Sequence, residues 1–338
     1  MNRREFVAGA LAAQSLSPAE RIRIAFLGAS HSHAEGKLQV VRENPAFELA
    51  GIAESDPKLR AKYEQAGARI LTPEQLLGDA TIQAVAVESG VKEHARHARM
   101  ALEAGKHLHL EKPPSDNLKE FQELVALARR KRLLMQMGYM WRHHPGINAV
   151  LEAARKGWLG DLYLVRGTMN TLIGADRRWE WGLFHGGQMF EQGCHLIDPM
   201  VRLLGRPLKV TPVLRKHGAF NDNVADNTVA IFEFPRALGV IVSSMLQPGS
   251  SQHRAFEVCG SNGNAVVRPI EPPVLQIDLV KPAGPYQAKT QTVPLPDYRR
   301  YVGDFAELAE AIRSKRPLSI TPDEDLLVHE ALLRASEM

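Results

Sequence analysis

Six residues, Gly28-Ala29-Ser30-His31-Ser32-His33, follow the apolar run Ile22 to Leu27 and lead into a helical stretch from about His33 to Glu43. A strand that turns sharply into a helix suits one kind of chemistry: helix N-terminal amides and a close backbone hold the pyrophosphate of a dinucleotide. The usual pattern is G-x-G-x-x-G, and here only the first glycine, Gly28, is kept. Ser30 takes the second place, where a side chain crowds the phosphate, and His33 takes the third. Glu54 strengthens the reading. It closes a second strand, Phe47 to Ala53, about twenty residues beyond the turn, where an acid accepts hydrogen bonds from the adenosine ribose. Its charge repels a 2′-phosphate, so the expected cofactor is NAD in preference to NADP. A solvated surface acid is the alternative for Glu54. Gly28, Ser30, His31 and Glu54 are the expected cofactor contacts.

The elements that must position these residues are legible from period and punctuation. After the second strand come a helix from Pro57 to Ala66, a buried strand from Ala84 to Val87 and a helix from Val91 to Ala104. A strand at Leu108 to Leu110, a helix at Leu118 to Lys131 and a strand at Leu133 to Gly138 complete the first half. Strands alternating with helices of this length predict a parallel sheet with crossover helices. Asn117 stands at an N-cap position and Glu120 three residues on, which predicts a capping box. Leu118, Phe121, Leu124, Val125 and Ala128 mark one helical face and belong to the core.

The second half changes character. Tyr163 to Met169, Lys209 to Arg215, Thr228 to Phe234, Leu238 to Met245, Phe256 to Cys259, Ala265 to Arg268 and Leu275 to Leu279 read as strands between Gly, Pro, Asn and Asp breakers. Helices are expected from about Val302 to Ser314 and after Thr321-Pro322, where Thr321, Pro322 and Glu324 supply an N-cap, an N1 proline and a capping-box acid.

Four passages in order resemble one family. Ala101 to Pro113, ending in Glu111-Lys112-Pro113, is similar to the signature of the glucose–fructose oxidoreductase/inositol dehydrogenase (Gfo/Idh/MocA) family. Gly138-Tyr139-Met140-Trp141-Arg142-His143-His144-Pro145 resembles its crossing into the second domain. Glu191-Gln192-Gly193-Cys194-His195-Leu196-Ile197-Asp198 resembles its D-x-G-x-H-x-x-D helix, and Gly260-Ser261-Asn262-Gly263 its late glycine hairpin. The resemblance implies an α/β chain: an N-terminal Rossmann domain, then an α/β domain on a large, mainly antiparallel open sheet. The domains are expected at 21–139 and 140–338, with the last helix packing back on the first domain.

The implied activity is NAD-dependent oxidation of a sugar or polyol secondary alcohol. The resemblance places Glu111 and Lys112 beside the cofactor and makes Lys112, Glu191 and His195 the catalytic set. Moving hydride to nicotinamide needs a base for the hydroxyl proton, and histidine titrates near neutrality. Lys112 would hold the alcohol oxygen as alkoxide develops, or share the proton. The family most often has aspartate where Glu191 stands. At helical spacing Glu191 and His195 share a face, so the acid is expected to orient or charge the imidazole. Asp198 is expected to be structural, bonding nearby backbone. Substrate contacts are expected from Arg142, His195 and the aperiodic segment Thr171 to Met189, where Arg177, Trp179 and Trp181 suit a sugar face, its hydroxyls or a carboxylate. The same segment equally suits packing on a neighbouring subunit. A redox-neutral, NAD-retaining glycosidase of the same family, and a non-catalytic binding protein, are the alternative functions.

Bulk properties exclude other classes. The 338 residues carry 42 basic and 38 acidic side chains, a net +4 that calls for no nucleic-acid partner. No apolar stretch is long enough to span a membrane. Cys194 and Cys259 cannot build a disulfide framework. The pairs His31/His33, His94/His97 and His143/His144 lack the spacing of a zinc motif, so no metal is expected. Arg3-Arg4 followed by the short apolar run Val7 to Ala13 resembles a twin-arginine export signal over residues 1–20, giving a periplasmic expectation with a cytoplasmic alternative. A homodimer or homotetramer through the C-terminal sheet is the expected assembly.

Overall fold

The computed structural model describes residues 21–338, so the arginine pair and apolar run of the N-terminus lie outside the described residues. The first half alternates strand and helix: β1 (Ile22–Leu27), α1 (Ala34–Glu43), β2 (Phe47–Ala53), α2 (Pro57–Gln65), α3 (Pro73–Gly78), β3 (Ala84–Val87), α4 (His94–Glu103), β4 (His107–Leu110), α5 (Leu118–Lys131) and β5 (Met135–Met137). All pair in parallel in the order β2-β1-β3-β4-β5. Strands such as Ala84–Val87 are buried on both faces, which is why they read as continuous apolar runs. The order reverses between β1 and β3, and ligands of open α/β sheets bind in the crevice at such a reversal.

The second half holds α6 (Pro145–Arg155), β6 (Leu162–Thr168), α7 (Arg178–Gly182), α8 (Cys194–Leu204), β7 (Lys209–Arg215), β8 (Asn227–Glu233), β9 (Leu238–Ser244), β10 (Ala255–Gly260), β11 (Gly263–Val267), β12 (Leu275–Leu279), β13 (Lys289–Val293), α9 (Val302–Ser314) and α10 (Pro322–Ala335). Its eight-stranded sheet runs β13-β12-β11-β10-β6-β9-β8-β7, and only β6 and β9 pair in parallel. Helix α8 covers one face so closely that a Cβ on Gly167 or Gly239 would meet Leu196 or Met200. Among the described residues nothing covers the other face at Val213, Ile231 and Leu238, which are exposed. The glycine hairpin is real: Gly260 pairs with Gly263, and a Cβ on Gly263 would lie 2.0 Å from the Asp278 carbonyl.

The two terminal helices return to the first sheet. Phe305 of α9 packs on Phe47 and His109, and His329 of α10 packs edge-on against Phe121 of α5. Two capping expectations part company here. The Thr321 box forms in full, with Thr321 and Glu324 each bonded to the other's amide. Asn117 accepts from the amides of Lys119 and Glu120, but the Glu120 carboxylate turns to the Ser115 hydroxyl at 2.5 Å, leaving half a box. Strand β13 and helix α6 were not anticipated.

Candidate active site

Gly28 follows β1 at φ +75°, a conformation that favours glycine, and its amide donates to the Ala53 carbonyl at 2.7 Å. A Cβ there would lie 2.4 Å from that of Ser89 after β3, so the turn tolerates no side chain. A cavity of about 440 Å³ opens beside it, lined by Gly28, Ser30, Glu54, Arg60, Ser89 and His97 among others. The Glu54 carboxylate accepts from the amides of Ala29, at 2.6 Å, and Asp56, at 2.9 Å. This fixes an acid at the end of β2, where an adenosine ribose would be read. The groove fits a dinucleotide: a bare turn at the strand crossover and an anchored acid twenty-odd residues on.

The loop from Gly28 to His33 is a wall shared by this groove and a second cavity, about 530 Å³, lined by Ser32, His33, Arg177, Trp181, Gln192, Arg254 and Arg300 with apolar neighbours. Beneath the wall lies a buried charge network. Lys37 of α1, fully enclosed, bonds Glu88 at 2.7 Å and contacts Glu111 closely. Glu111 also accepts from its neighbour's amide, Lys112, and faces the His33 Nδ1 at 3.2 Å. A carboxylate only accepts, so the His33 proton sits on Nδ1. Burial opposes the Lys37 charge, but Glu111 and Glu88 outweigh it and hold its pKa above the ordinary value. Burial raises Glu88 to about 8, against the pull of Lys37.

Lys112, also fully enclosed, donates to the Glu191 carboxylate at 2.8 Å and to its carbonyl at 2.9 Å. Burial disfavours both charges. The pair overrides it, raising the Lys112 pKa and lowering Glu191 to about 2. Lys112 is therefore an ammonium and Glu191 a carboxylate. His31 joins them: its Nδ1 accepts from the His33 amide, which places its proton on Nε2, 3.6 Å from Glu191.

The expected Glu191–His195 partnership does not form. Glu191 lies on a π-helical turn, Met189–Gly193, that runs into α8. A π turn bonds i to i+5, so residues four apart no longer stack, and the carboxylate swings to Lys112. His195 is 1% exposed, and neither ring nitrogen has a partner among the described residues. Burial, then the Lys112 charge, hold its pKa well below 6.5, so the imidazole is neutral. Its ring stands 5.9 Å from that of His33 and 5.6 Å from that of Trp141.

Other expectations need correction. Arg142 does not meet substrate: it is buried and bonded to Asp198 at 2.7 Å and Asp325 at 2.6 Å. Asp198 correspondingly binds Arg142 and Arg202 and not backbone. Glu111 is wholly enclosed, with its oxygens taken up by Lys37, His33 and the Lys112 amide, so in this structure it positions those residues. Trp179 is 65% exposed on a separate surface beside Leu183 and Asp222. Trp181, two residues on in α7 and so on the opposite side, lines the cleft with the Arg177 guanidinium 5.5 Å over its ring. Lys37, Glu88, Arg254 and Arg300 were missed. Only Glu88, just past the end of β3 at the strand crossover, carried a usable signal. His31, His33 and Glu111 bring one donor atom each within 4.8 Å of one another, a set of the metal-ligating kind. Lys37 already occupies Glu111, and Lys112 stands close by, so two ammonium groups oppose a further dication there.

Residues 22–139 match the model described as oxidoreductase family, NAD-binding Rossmann fold, and residues 147–266 match the GFO/IDH/MocA C-terminal domain. A parallel-sheet dinucleotide groove joined to an antiparallel-sheet domain is the build of a two-domain, NAD-binding oxidoreductase. The chain belongs to the Gfo/Idh/MocA family. It is 26% identical to the uncharacterized oxidoreductase YdgJ of Escherichia coli (strain K12), over 75% of this chain and 73% of that one. It is 27% identical to dTDP-3,4-didehydro-2,6-dideoxy-alpha-D-glucose 3-reductase of Streptomyces violaceoruber, over 86% and 85%. Among solved structures, aldose-aldose oxidoreductase from Caulobacter crescentus, complexed with glycerol, superposes with a TM-score of 0.79 at 20% identity, covering 94% of this chain and 98% of that one. GenD2 from gentamicin A biosynthesis, in complex with NAD, gives 0.78 at 22% identity, covering 97% and 96%. At these identities the structures show a shared fold.

Proposed function

We propose that the chain is an NAD-dependent dehydrogenase acting on a secondary alcohol of a sugar or polyol. One observation carries this reading: an ammonium, Lys112, and a neutral imidazole with free ring nitrogens, His195, are buried close together behind His33, which lines the cleft. The sugar-directed names of the Streptomyces and Caulobacter relatives support the substrate class.

Bound NAD would supply the hydride acceptor. The chain's own residues do the rest. His195, neutral, takes the hydroxyl proton on a ring nitrogen as the alcohol is oxidised. Lys112 offers its remaining N–H to the alcohol oxygen and stabilises the alkoxide that develops. Glu191 keeps Lys112 charged and aimed, and His31 and Glu111 hold the pair from the other side. Glu54 disfavours a 2′-phosphate, which selects NAD over NADP. The uncovered face of the second sheet, with Val213, Ile231 and Leu238, is the surface proposed for self-association.

The test is to denature purified protein, identify the released dinucleotide, and then follow NADH absorbance with a panel of sugars and polyols. Net NADH formation supports the dehydrogenase. Turnover of glycosides without net NADH would favour a redox-neutral glycosidase instead.

A further inference from the structure

Among the described residues, the cleft that would receive the substrate is lined by three arginines, Arg177, Arg254 and Arg300, and by no carboxylate. Two of them are already matched. Arg177 pairs with Glu180 through Nε and Nη2, and Arg300 pairs with Glu271 through the same two atoms. The remaining Nη1 of Arg177 has no acceptor among the described residues, whereas Arg300 also acts on the neighbouring Tyr301 hydroxyl. Arg254 differs. Its Nε donates to the Asn170 carbonyl at 3.1 Å, which fixes the plane of the guanidinium, and no carboxylate among the described residues pairs with it. Both terminal amino groups are left over. Burial, then repulsion from Arg300, works against its charge.

A partly desolvated guanidinium that no carboxylate bonds is costly, the nearby Glu271 charge offsets this only in part, and the guanidinium fork matches the oxygens of a carboxylate or phosphate. Ser250 and Ser251, just before it in the chain, also line the cleft, and their hydroxyls bond no protein group among the described residues. The arginines adjoin the reacting groups: Arg300 is among the charges acting on His195, and Glu191 among those acting on Arg177. An anion seated on Arg254 would complete the charge balance of the cleft.

We infer that the substrate is an anionic sugar derivative whose carboxylate or phosphate is bound by Arg254, with Arg177 and Arg300 lining the same cleft. This rests on the sugar dehydrogenase reading for the part of the molecule that is oxidised, but the anion subsite can be tested without turnover. NAD-saturated protein, its dinucleotide groove filled, is titrated with sulfate against chloride at matched ionic strength, following the tryptophan fluorescence to which Trp181 contributes and heat by calorimetry. The expected result is saturable sulfate binding, weakened about tenfold or more in Arg254→Gln and by less in Arg254→Lys, which keeps the charge. Absence of saturable binding, or equal affinity in Arg254→Gln, overturns the proposal. Hexuronates, hexonates and hexose phosphates, each set against its neutral sugar, then identify the source of the anion. The anionic members should displace sulfate, and displacement by the neutral sugars alone would contradict the inference. Sulfate binding that depends on Arg254, without NADH formation from any member, would leave the subsite standing and count against the redox reading.

Discussion

The Glu191 carboxylate reaches Lys112 Nζ at 2.8 Å and makes no bond to His195, four residues further along the chain. The acid therefore serves the ammonium and not the imidazole. Glu191→Gln keeps the shape and strands a buried Lys112 charge, so it should cost about 3–5 kcal/mol of stability in urea unfolding. The double variant Lys112→Met/Glu191→Gln removes both charges and should recover much of that loss. An additive double variant would show that the two groups are not coupled.

Lys112→Met should lower turnover by about 10²–10³-fold, the scale for losing a group aimed at developing negative charge, with dinucleotide affinity little changed. Steady-state kinetics with calorimetric NAD binding reads both quantities.

Arg142 separates a structural role from a substrate role. Bonded to Asp198 and Asp325 in a buried site, it should cost about 3–5 kcal/mol when changed to methionine. KM should stay near its original value. A raised KM with unchanged stability would return Arg142 to the substrate.

The cofactor choice rests on Glu54. Calorimetry should show NAD binding more tightly than NADP, and Glu54→Gln, which still offers the Ala29 amide an acceptor, should narrow the gap. Equal affinities in the unaltered protein would contradict the assignment.

Acid should act on buried histidines. Burial holds His33, His109 and His329 near 3 and His195 well below the ordinary 6.5, so each is neutral when folded. A depressed pKa gives stability that is present above 6.5 and lost as pH falls towards the folded value, at up to about 1.4 kcal/mol per pH unit per group. Tm should therefore drop between pH 7 and pH 5. By the same sign, the base His195 stays competent below 6.5, and the acid limb of the rate should lie lower than an ordinary histidine would give.

What the sequence made legible was whatever depends on chain-local pattern. The Rossmann strands announce themselves as short apolar runs, Gly28 as a turn, and Glu111-Lys112-Pro113 as a family motif. Partnerships across the fold were not legible. Nothing in the spacing of Glu191 and His195 signals a π turn, so their shared face dissolved. Arg142 sits in a motif that does not say that two aspartates, 56 and 183 residues away, enclose it. Trp179 and Trp181 look alike in sequence, and only the placement of α7 decides which enters the cleft. Strand β13, Lys-Thr-Gln-Thr-Val, is an edge strand whose polar side chains hide its period.

The most direct test of the central claim is a single-turnover experiment on a verified substrate with C–H or C–D at the oxidised carbon. NADH appearance should be slower for C–D in the unaltered protein. His195→Ala should slow it by about 10²–10⁴-fold while NAD affinity barely changes. NADH formation at the unaltered rate in His195→Ala, with NAD bound as before, would contradict the account.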